Sequence, residues 1–307
     1  MMKPKLIIVA GPTAVGKTEY AIELAKKIDG EIVSLDSVQV YKGLDIGSAK
    51  PDKEQRKEVP HYMIDEVEPT VNLNVKDYKD MAVKYIDMII GKGKIPILVG
   101  GSGFYINAVL YDTDFLYEDE GEASKIRKEL EKDFKEKGVD YLYDMLGQID
   151  KESLSIIPKE NVRRVIRAIE FYRLHGIPIS EHNEKEKKRE SRFDYTFYVL
   201  DVDREELYNR INERVDKMIC EGLLVEVKRL INQGLSKDLN SMNSIGYKEL
   251  YDFCEERKAV VDIDKLSAED KEELKALIEL VKQHSRNYAK RQLTWFRAQK
   301  NIIWVQK

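Results

Sequence analysis

The octet Gly11-Pro12-Thr13-Ala14-Val15-Gly16-Lys17-Thr18 restricts what this chain can fold into more than any other stretch. It matches G-x-x-x-x-G-K-T. An apolar, branched run, Leu6-Ile7-Ile8-Val9-Ala10, precedes it, and Ala21, Leu24, Ala25 and Ile28 follow at helical spacing. Such a run reads as a strand buried on both faces. A strand–loop–helix setting is what makes the octet a phosphate-binding loop. Gly11 and Gly16 let the backbone bend so that successive N–H groups point at one anion, and the helix N-terminus adds its positive end. Lys17 supplies a mobile positive charge, and Thr18 a hydroxyl for Mg²⁺.

The pattern continues along the chain. Glu31-Ile32-Val33-Ser34-Leu35 reads as a second strand ending at Asp36, and Tyr78, Met81, Ala82, Tyr85 and Ile89 share one face of a second helix. Ile95 to Val99 is a third strand that runs into Gly100-Gly101-Ser102-Gly103. Strands alternating with helices specify a parallel sheet with crossover helices. After Tyr111 the chain turns charge-dense and helical as far as the run Glu184-Lys185-Glu186-Lys187-Lys188-Arg189-Glu190. Tyr195 to Leu200 is a β run again, long helices follow, and Ile302 to Val305 forms a last short strand. The expected fold is α/β: a P-loop core with a parallel sheet and flanking helices, interrupted by an all-helical insertion. The core's first part spans 1–111, the insertion 112–190, and the second part, with a basic C-terminal helix, 191–307.

Composition refines the choice of partner. The chain has 307 residues, 42% of them hydrophobic, and a formal net charge of −4 that is unevenly spread. From Leu280 to Lys307 there are seven Lys or Arg and no acid, against 45 basic and 56 acidic residues elsewhere. A basic end on an acidic body suits a polyanion, or equally a helix lying on its own acidic core. Cys220 and Cys254 have no metal-ligand spacing, so the sequence does not support a disulfide framework or a zinc finger. No run approaches the roughly 18 apolar residues of a membrane helix, and Leu6 to Ala10 is too short for a secretory signal core. A soluble, cytoplasmic monomer with no membrane role is expected.

The loop alone does not say whose phosphates it holds. P-loop kinases and ATPases usually end a later buried strand in an acid that helps hold Mg²⁺. Here Ile97-Leu98-Val99 runs into Gly100-Gly101-Ser102 instead. Asp36 stands at the tip of the second strand, where open α/β sheets place their ligands. It can take a proton from an attacking nucleophile, or simply cap the next turn.

Seven blocks then resemble one family. They are the octet; Asp36-Ser37-Val38-Gln39-Val40-Tyr41 with Asp45-Ile46-Gly47-Ser48-Ala49-Lys50-Pro51; Val59-Pro60-His61-Tyr62-Met63-Ile64-Asp65; Gly100-Gly101-Ser102-Gly103-Phe104-Tyr105; Arg163-Arg164-Val165-Ile166-Arg167-Ala168-Ile169-Glu170; Ser244-Ile245-Gly246-Tyr247-Lys248-Glu249; and Tyr288-Ala289-Lys290-Arg291-Gln292-Leu293-Thr294-Trp295-Phe296-Arg297. In content and order they are similar to the tRNA dimethylallyltransferase, or isopentenyl-tRNA transferase, family. The resemblance implies transfer of a dimethylallyl group from its diphosphate to the exocyclic amine of adenosine 37, beside the tRNA anticodon. No ATP is consumed, and the octet holds the leaving pyrophosphate.

By the same resemblance Lys17, with Mg²⁺ on Thr18, neutralises the leaving group; Arg214 reaches it from the other side; and Ser102 lies near its bridging oxygen. Asp36 holds the adenine amine and takes its proton. Ser37, Val38, Gln39, Gly101 and Ser102 line the base pocket. The insertion grips the anticodon stem-loop through Arg163, Arg164 and Arg167 on one helix, with Arg127 beside them. Tyr247, Lys248, Lys290, Arg291, Gln292 and Arg297 mix basic and aromatic character suited to phosphates and bases. Trp295 and Phe296 are expected in the core, and His61 as a buried histidine with its ring nitrogens satisfied. The chain departs from the family in Ser102, where Thr is usual, and in Tyr62, where a second His is common. The stretch Pro158 to Val162 is one residue longer than usual, which shifts the register of Arg163 against Arg164. With no zinc finger appended, the bacterial type is implied.

A P-loop nucleotide or metabolite kinase is the competing reading, and a non-catalytic tRNA-binding protein a third. In thermal shift, Mg²⁺-ATP should stabilise a kinase far more than pyrophosphate does. For the transferase we expect pyrophosphate to give the larger shift.

Overall fold

Ile8, Val9 and Ala10 expose no surface, because β1 (Lys5–Ala10) is flanked by strands on both edges. The computed structural model describes residues 2–116, 120–257 and 262–307. Chain contacts divide it into two units, residues 1–110 with 192–307 and residues 111–191.

In the first unit β1 leads through α1 (Lys17–Ile28) to β2 (Gly30–Leu35). Next come α2 (Lys53–Glu58), β3 (His61–Tyr62), α3 (Val75–Gly91), β4 (Ile95–Gly100) and α4 (Gly103–Leu110). The six strands are all parallel in the order β3-β2-β4-β1-β5-β6, where β5 is Asp194–Asp201 and β6 is Ile303–Gln306. The expected parallel α/β core is therefore present. The strand expected from Ile302 starts one residue later, and α2 and β3 add two elements that the hydrophobic pattern does not announce.

Pairing of Ile7 with Ile97 and of Ile32 with Ile97 brings alternate side chains to one face. There Val9, Ile32 and Ile97 join Ala21, Ile22 and Ala25 of α1 in one cluster with residues of two later helices, Leu207 and Ile211, and Ala289 and Leu293. The other parity, Ile8, Val33 and Leu98, is fully buried too. Tyr78, Ala82, Ile86 and Ile89 are the buried hydrophobic residues of α3, which packs on β2 and β4.

The second unit is helical. It comprises α5 (Glu120–Ile149), broken at Gly138 (φ 81°), then a 3₁₀ turn (Glu152–Ser155), α6 (Val162–His175) and α7 (Ile179–Lys187). Its core gathers Leu130, Leu142, Leu146, Val165 and Ile169. Asp150 is buried and accepts from the amide and hydroxyl of both Ser153 and Ser180 at 2.6–3.1 Å. Burial works to raise its carboxyl, but these four donors hold it below its usual value.

The chain returns to the first unit in β5, then α8 (Arg204–Cys220), α9 (Leu223–Asn232), α10 (Tyr251–Glu256), a 3₁₀ turn (Ile263–Lys265), α11 (Ala268–Arg297) and β6. Phe296 of α11 is fully buried and meets Phe197 of β5 edge-on, with ring centroids 6.4 Å apart. Trp295 is partly buried. We expect Phe296→Ala to cost about 3–5 kcal/mol through the cavity it leaves, read as a lowered melting temperature.

Candidate active site

The octet spans the turn from β1 into α1. Gly11 has φ 145°, and a Cβ there would stand 2.7 Å from the Leu200 carbonyl oxygen, so the loop is laid against β5 as only glycine permits. Gly16 has φ 89° and begins α1 with no side-chain cap. The first amides of α1 are thus left for an anion. Ala14 at φ 64° is held in a conformation that L side chains rarely take. One octet amide is already engaged: Thr13 N donates to Gln292 Oε1 at 2.9 Å, while Gln292 Nε2 donates to the Gly101 carbonyl at 3.0 Å. Gln292 therefore ties the loop to the turn after β4. Gly101 and Gly103 allow this close approach: Cβ atoms there would lie 2.1 Å from Gln292 Nε2 and 2.2 Å from the Trp295 ring.

Lys17 donates to the Pro12 carbonyl at 2.7 Å. Burial first, then repulsion from Arg214, pushes its ammonium down to about 8, against the pull of Asp36 and Glu19. Burial likewise lowers Arg214 on α8, again opposed by Asp36 and Glu19. Lys17, Arg214 and Asp36 thus share one electrostatic neighbourhood at the carboxyl ends of the strands.

Asp36 follows β2, with β4 between it and the strand carrying the octet. Its Oδ1 accepts from Val38 N at 2.9 Å and Gln39 N at 3.2 Å, so the capping role is real. The Tyr78 hydroxyl donates to the Asp36 carbonyl at 3.1 Å, and its ring lies 4.3 Å from that of Tyr105. Burial and then Asp36 raise Tyr78 well above its usual value and Tyr288 to about 12, which keeps both phenols neutral beside the carboxylate. Neither tyrosine was singled out from sequence as a neighbour of Asp36. Aromatic positions on an apolar helix face carry no local sign of facing a site.

Other expected contact residues are placed as follows. Ser37 is exposed, and Val38, Gly101 and Ser102 are partly exposed. Gln39 is committed to its own protein, its Nε2 donating to Ser48 O and Ala49 O at 3.2 Å each, its Oε1 accepting from Ser34 Oγ at 3.0 Å. Tyr247 requires a correction. It is wholly buried, with its hydroxyl on Glu226 at 2.7 Å, and cannot stack on a nucleic acid from there. Gln292 is also buried, in the bridge just described. Lys248 is exposed. Arg291 is exposed, its guanidinium 5.7 Å from the centre of the Tyr288 ring. Lys290 and Arg297 line a cavity of about 160 Å³ with Asp201, Arg204, Tyr208 and Thr294.

In the helical unit, Arg163 and Arg164 are exposed at the start of α6. Arg127 and Arg167 converge on the buried Glu170, with N···O distances of 2.7 and 3.1 Å. His61 holds the Val59 carbonyl at 2.8 Å through Nδ1 and leaves Nε2 buried without a partner among the described residues. Among the described residues, no helix is long and apolar enough to cross a membrane.

A phosphate-loop motif and a strand-end carboxylate on one sheet edge, with β4 ending in glycines rather than an acid, mark an α/β P-loop protein. Comparison with known proteins narrows the class. The family model for IPP transferase matches residues 39–299, and the chain belongs to that family. It is 43% identical over 302 residues to a tRNA dimethylallyltransferase of Acetivibrio thermocellus, covering 98% of this chain and 91% of the relative. A second tRNA dimethylallyltransferase, from Lachnoclostridium phytofermentans, is 45% identical over 306 residues, covering 100% and 92%. Among solved structures, the tRNA isopentenylpyrophosphate transferase of Bacillus halodurans aligns with TM-score 0.68 at 40% identity, over 99% of this chain and 90% of that one. A eukaryotic dimethylallyltransferase acting on tRNA aligns with TM-score 0.77 at 26% identity, over 99% and 74%.

The Lys17 ammonium yields a pH prediction. Above pH 8 the free loop has lost this proton and must regain it to hold a diphosphate; below pH 8 it has not. Pyrophosphate affinity should fall with rising pH above about 8, by up to about tenfold per unit, relative to Lys17→Met measured alongside. Parallel pH profiles for the two proteins in calorimetric titration would count against it.

Proposed function

We propose that this chain transfers the dimethylallyl group of dimethylallyl diphosphate to the exocyclic amine of adenosine 37 in tRNA, releasing pyrophosphate. One observation carries the reading: the Asp36 carboxylate shares its field with Lys17 and Arg214, while β4, the strand between, ends in Gly100 and supplies no second acid. That arrangement suits a leaving group that departs as an anion while a neighbouring nucleophile loses a proton. A kinase holding ATP with Mg²⁺ would draw on a second acid.

In the reaction the C–O bond to the diphosphate breaks, a C–N bond forms, and the amine's proton passes to Asp36. The octet amides, Lys17 and Arg214 stabilise the negative charge that grows on the departing diphosphate. Arg suits this because its planar fork binds phosphate oxygens two at a time. Ser102, just before α4, is the hydroxyl we assign to the bridging oxygen. An arylamine is a weak nucleophile, so orientation contributes at least as much as basicity. The target base must leave its stack to reach Asp36.

Mg²⁺ fits the residues in one mode only. Among the described residues no cluster of three His, Cys, Asp or Glu is arranged to hold a metal. Mg²⁺ commonly keeps several waters and is held by few protein groups plus substrate phosphates. Thr18, in the first turn of α1, would hold it in that way, and the ion would add positive charge on the diphosphate oxygens.

Arg163 and Arg164, exposed on α6, and Lys248, Lys290, Arg291 and Arg297 are the side chains proposed to meet RNA phosphates. Arg127 and Arg167, engaged with Glu170, shape α6 in this reading.

Incubation with labelled dimethylallyl diphosphate and an anticodon stem-loop bearing adenosine 37 should move label into RNA. ATP hydrolysis without such transfer would favour the kinase. Asp36→Asn should lower the transfer rate by about 10²–10⁴-fold with stem-loop affinity retained; lost RNA binding would make Asp36 a structural cap.

A further inference from the structure

Glu226 has no role in the chemistry above, yet it is 5% exposed. A buried carboxylate persists only when several donors satisfy it. Glu226 has four: the amides of Asp45 at 3.0 Å, Ile46 at 2.9 Å and Gly47 at 3.1 Å, and the Tyr247 hydroxyl at 2.7 Å. Three successive amides pointing at one anion make a backbone nest, here closed by a carboxylate from α9. Tyr247 completes the enclosure, for a Cβ on Gly47 would stand 2.5 Å from its ring.

The loop held in this way is not remote from the chemistry. Its next two carbonyls, of Ser48 and Ala49, accept from Gln39 Nε2 at 3.2 Å each, and Ser34 Oγ donates to Gln39 Oε1 at 3.0 Å. The Gln39 amide, with that of Val38, donates to Asp36 Oδ1. A continuous run of hydrogen bonds thus leads from Glu226 through residues 45–49 and Gln39 to the Asp36 carboxylate. The octet is not on that run.

We propose that Glu226 is a positioning residue for Asp36: by fixing the 45–49 loop it fixes Gln39, and so the direction in which Asp36 meets the attacking amine. This rests on the reading of Asp36 given above. Glu226→Gln keeps the volume but turns an NH₂ group against donors. We expect kcat for prenyl transfer to fall by about tenfold to a hundredfold, the scale of a misplaced reacting group. KM for dimethylallyl diphosphate and affinity for pyrophosphate should stay within about twofold, because the loop that binds them lies off the run. In an Asp36→Asn background, Glu226→Gln should slow transfer no further, as expected of residues acting as one unit.

An unchanged kcat, a rise in KM alone, or a further loss in the Asp36→Asn background would overturn the proposal. Should Glu226→Gln neither melt cooperatively nor bind pyrophosphate, Tyr247→Phe carries the same test. It removes one of four donors, with an expected kcat loss of about two- to tenfold, the worth of one hydrogen bond. That loss should also vanish in the Asp36→Asn background, and its persistence there, or its absence in the parent, overturns the proposal. Wild-type protein that transfers no prenyl group overturns the functional reading and this proposal together. Active wild type with an equally active Glu226→Gln overturns this proposal alone.

Discussion

The geometry of the site depends on one buried amide. Gln292 gives its oxygen to Thr13 N and its nitrogen to the Gly101 carbonyl. The phosphate loop, the turn after β4 and the C-terminal helix α11 therefore cannot shift independently. A buried amide left half-satisfied would be costly, so the three segments hold each other in place. Gly101 and Gly103 are what this closeness demands, since any side chain at either would occupy space already filled by Gln292 or Trp295. The loop is thereby shaped before any anion arrives, and pre-shaped donors are what make such sites effective.

The charges in the site form a second system. Two cations, Lys17 and Arg214, are held desolvated near one carboxylate; burial and then Arg214 lower Lys17, and the carboxylate opposes that shift. Around Asp36 stand phenols that burial and the carboxylate keep protonated. The surroundings of the base are therefore polar but uncharged, apart from the groups that face the diphosphate. In the proposed reaction, separating the two kinds of surface along one sheet edge would let a neutral base and a highly charged leaving group meet without each disturbing the other's binding.

Much of the core was legible because its signals are local. Leu6 to Ala10 is a continuous apolar run, the octet follows it, and α3 repeats apolar residues with helical period. β3 was not legible, since two residues carry no period. The site was harder to read, because its decisive contacts are long-range. Gln292 meets Thr13 across 279 positions, and Glu226 meets the loop at 45–47 across about 180. Tyr247 sits beside Lys248 and looks like part of a basic, aromatic surface. Only its partner Glu226, 21 residues earlier, places it inside. Arg127 looks free for the same reason, its partner Glu170 being visible only once α5 and α6 pack, whereas Arg167 meets that Glu170 three residues along its own helix.

The sheet order has a metric consequence. The phosphate loop leaves β1 and Asp36 leaves β2, with β4 alone between them. Neighbouring strands lie about 4.8 Å apart, so the two groups stand off by about 10 Å across the sheet edge. A backbone ladder cannot stretch, so in the proposed reaction this separation acts as a ruler laid between leaving group and nucleophile. It is spanned there by the diphosphate, the carbon bonded to it and the attacking amine, since the carbon that leaves the diphosphate is the one the amine takes. The spacing of the strands would therefore set the line along which the group is displaced, whatever the length of hydrocarbon behind that carbon.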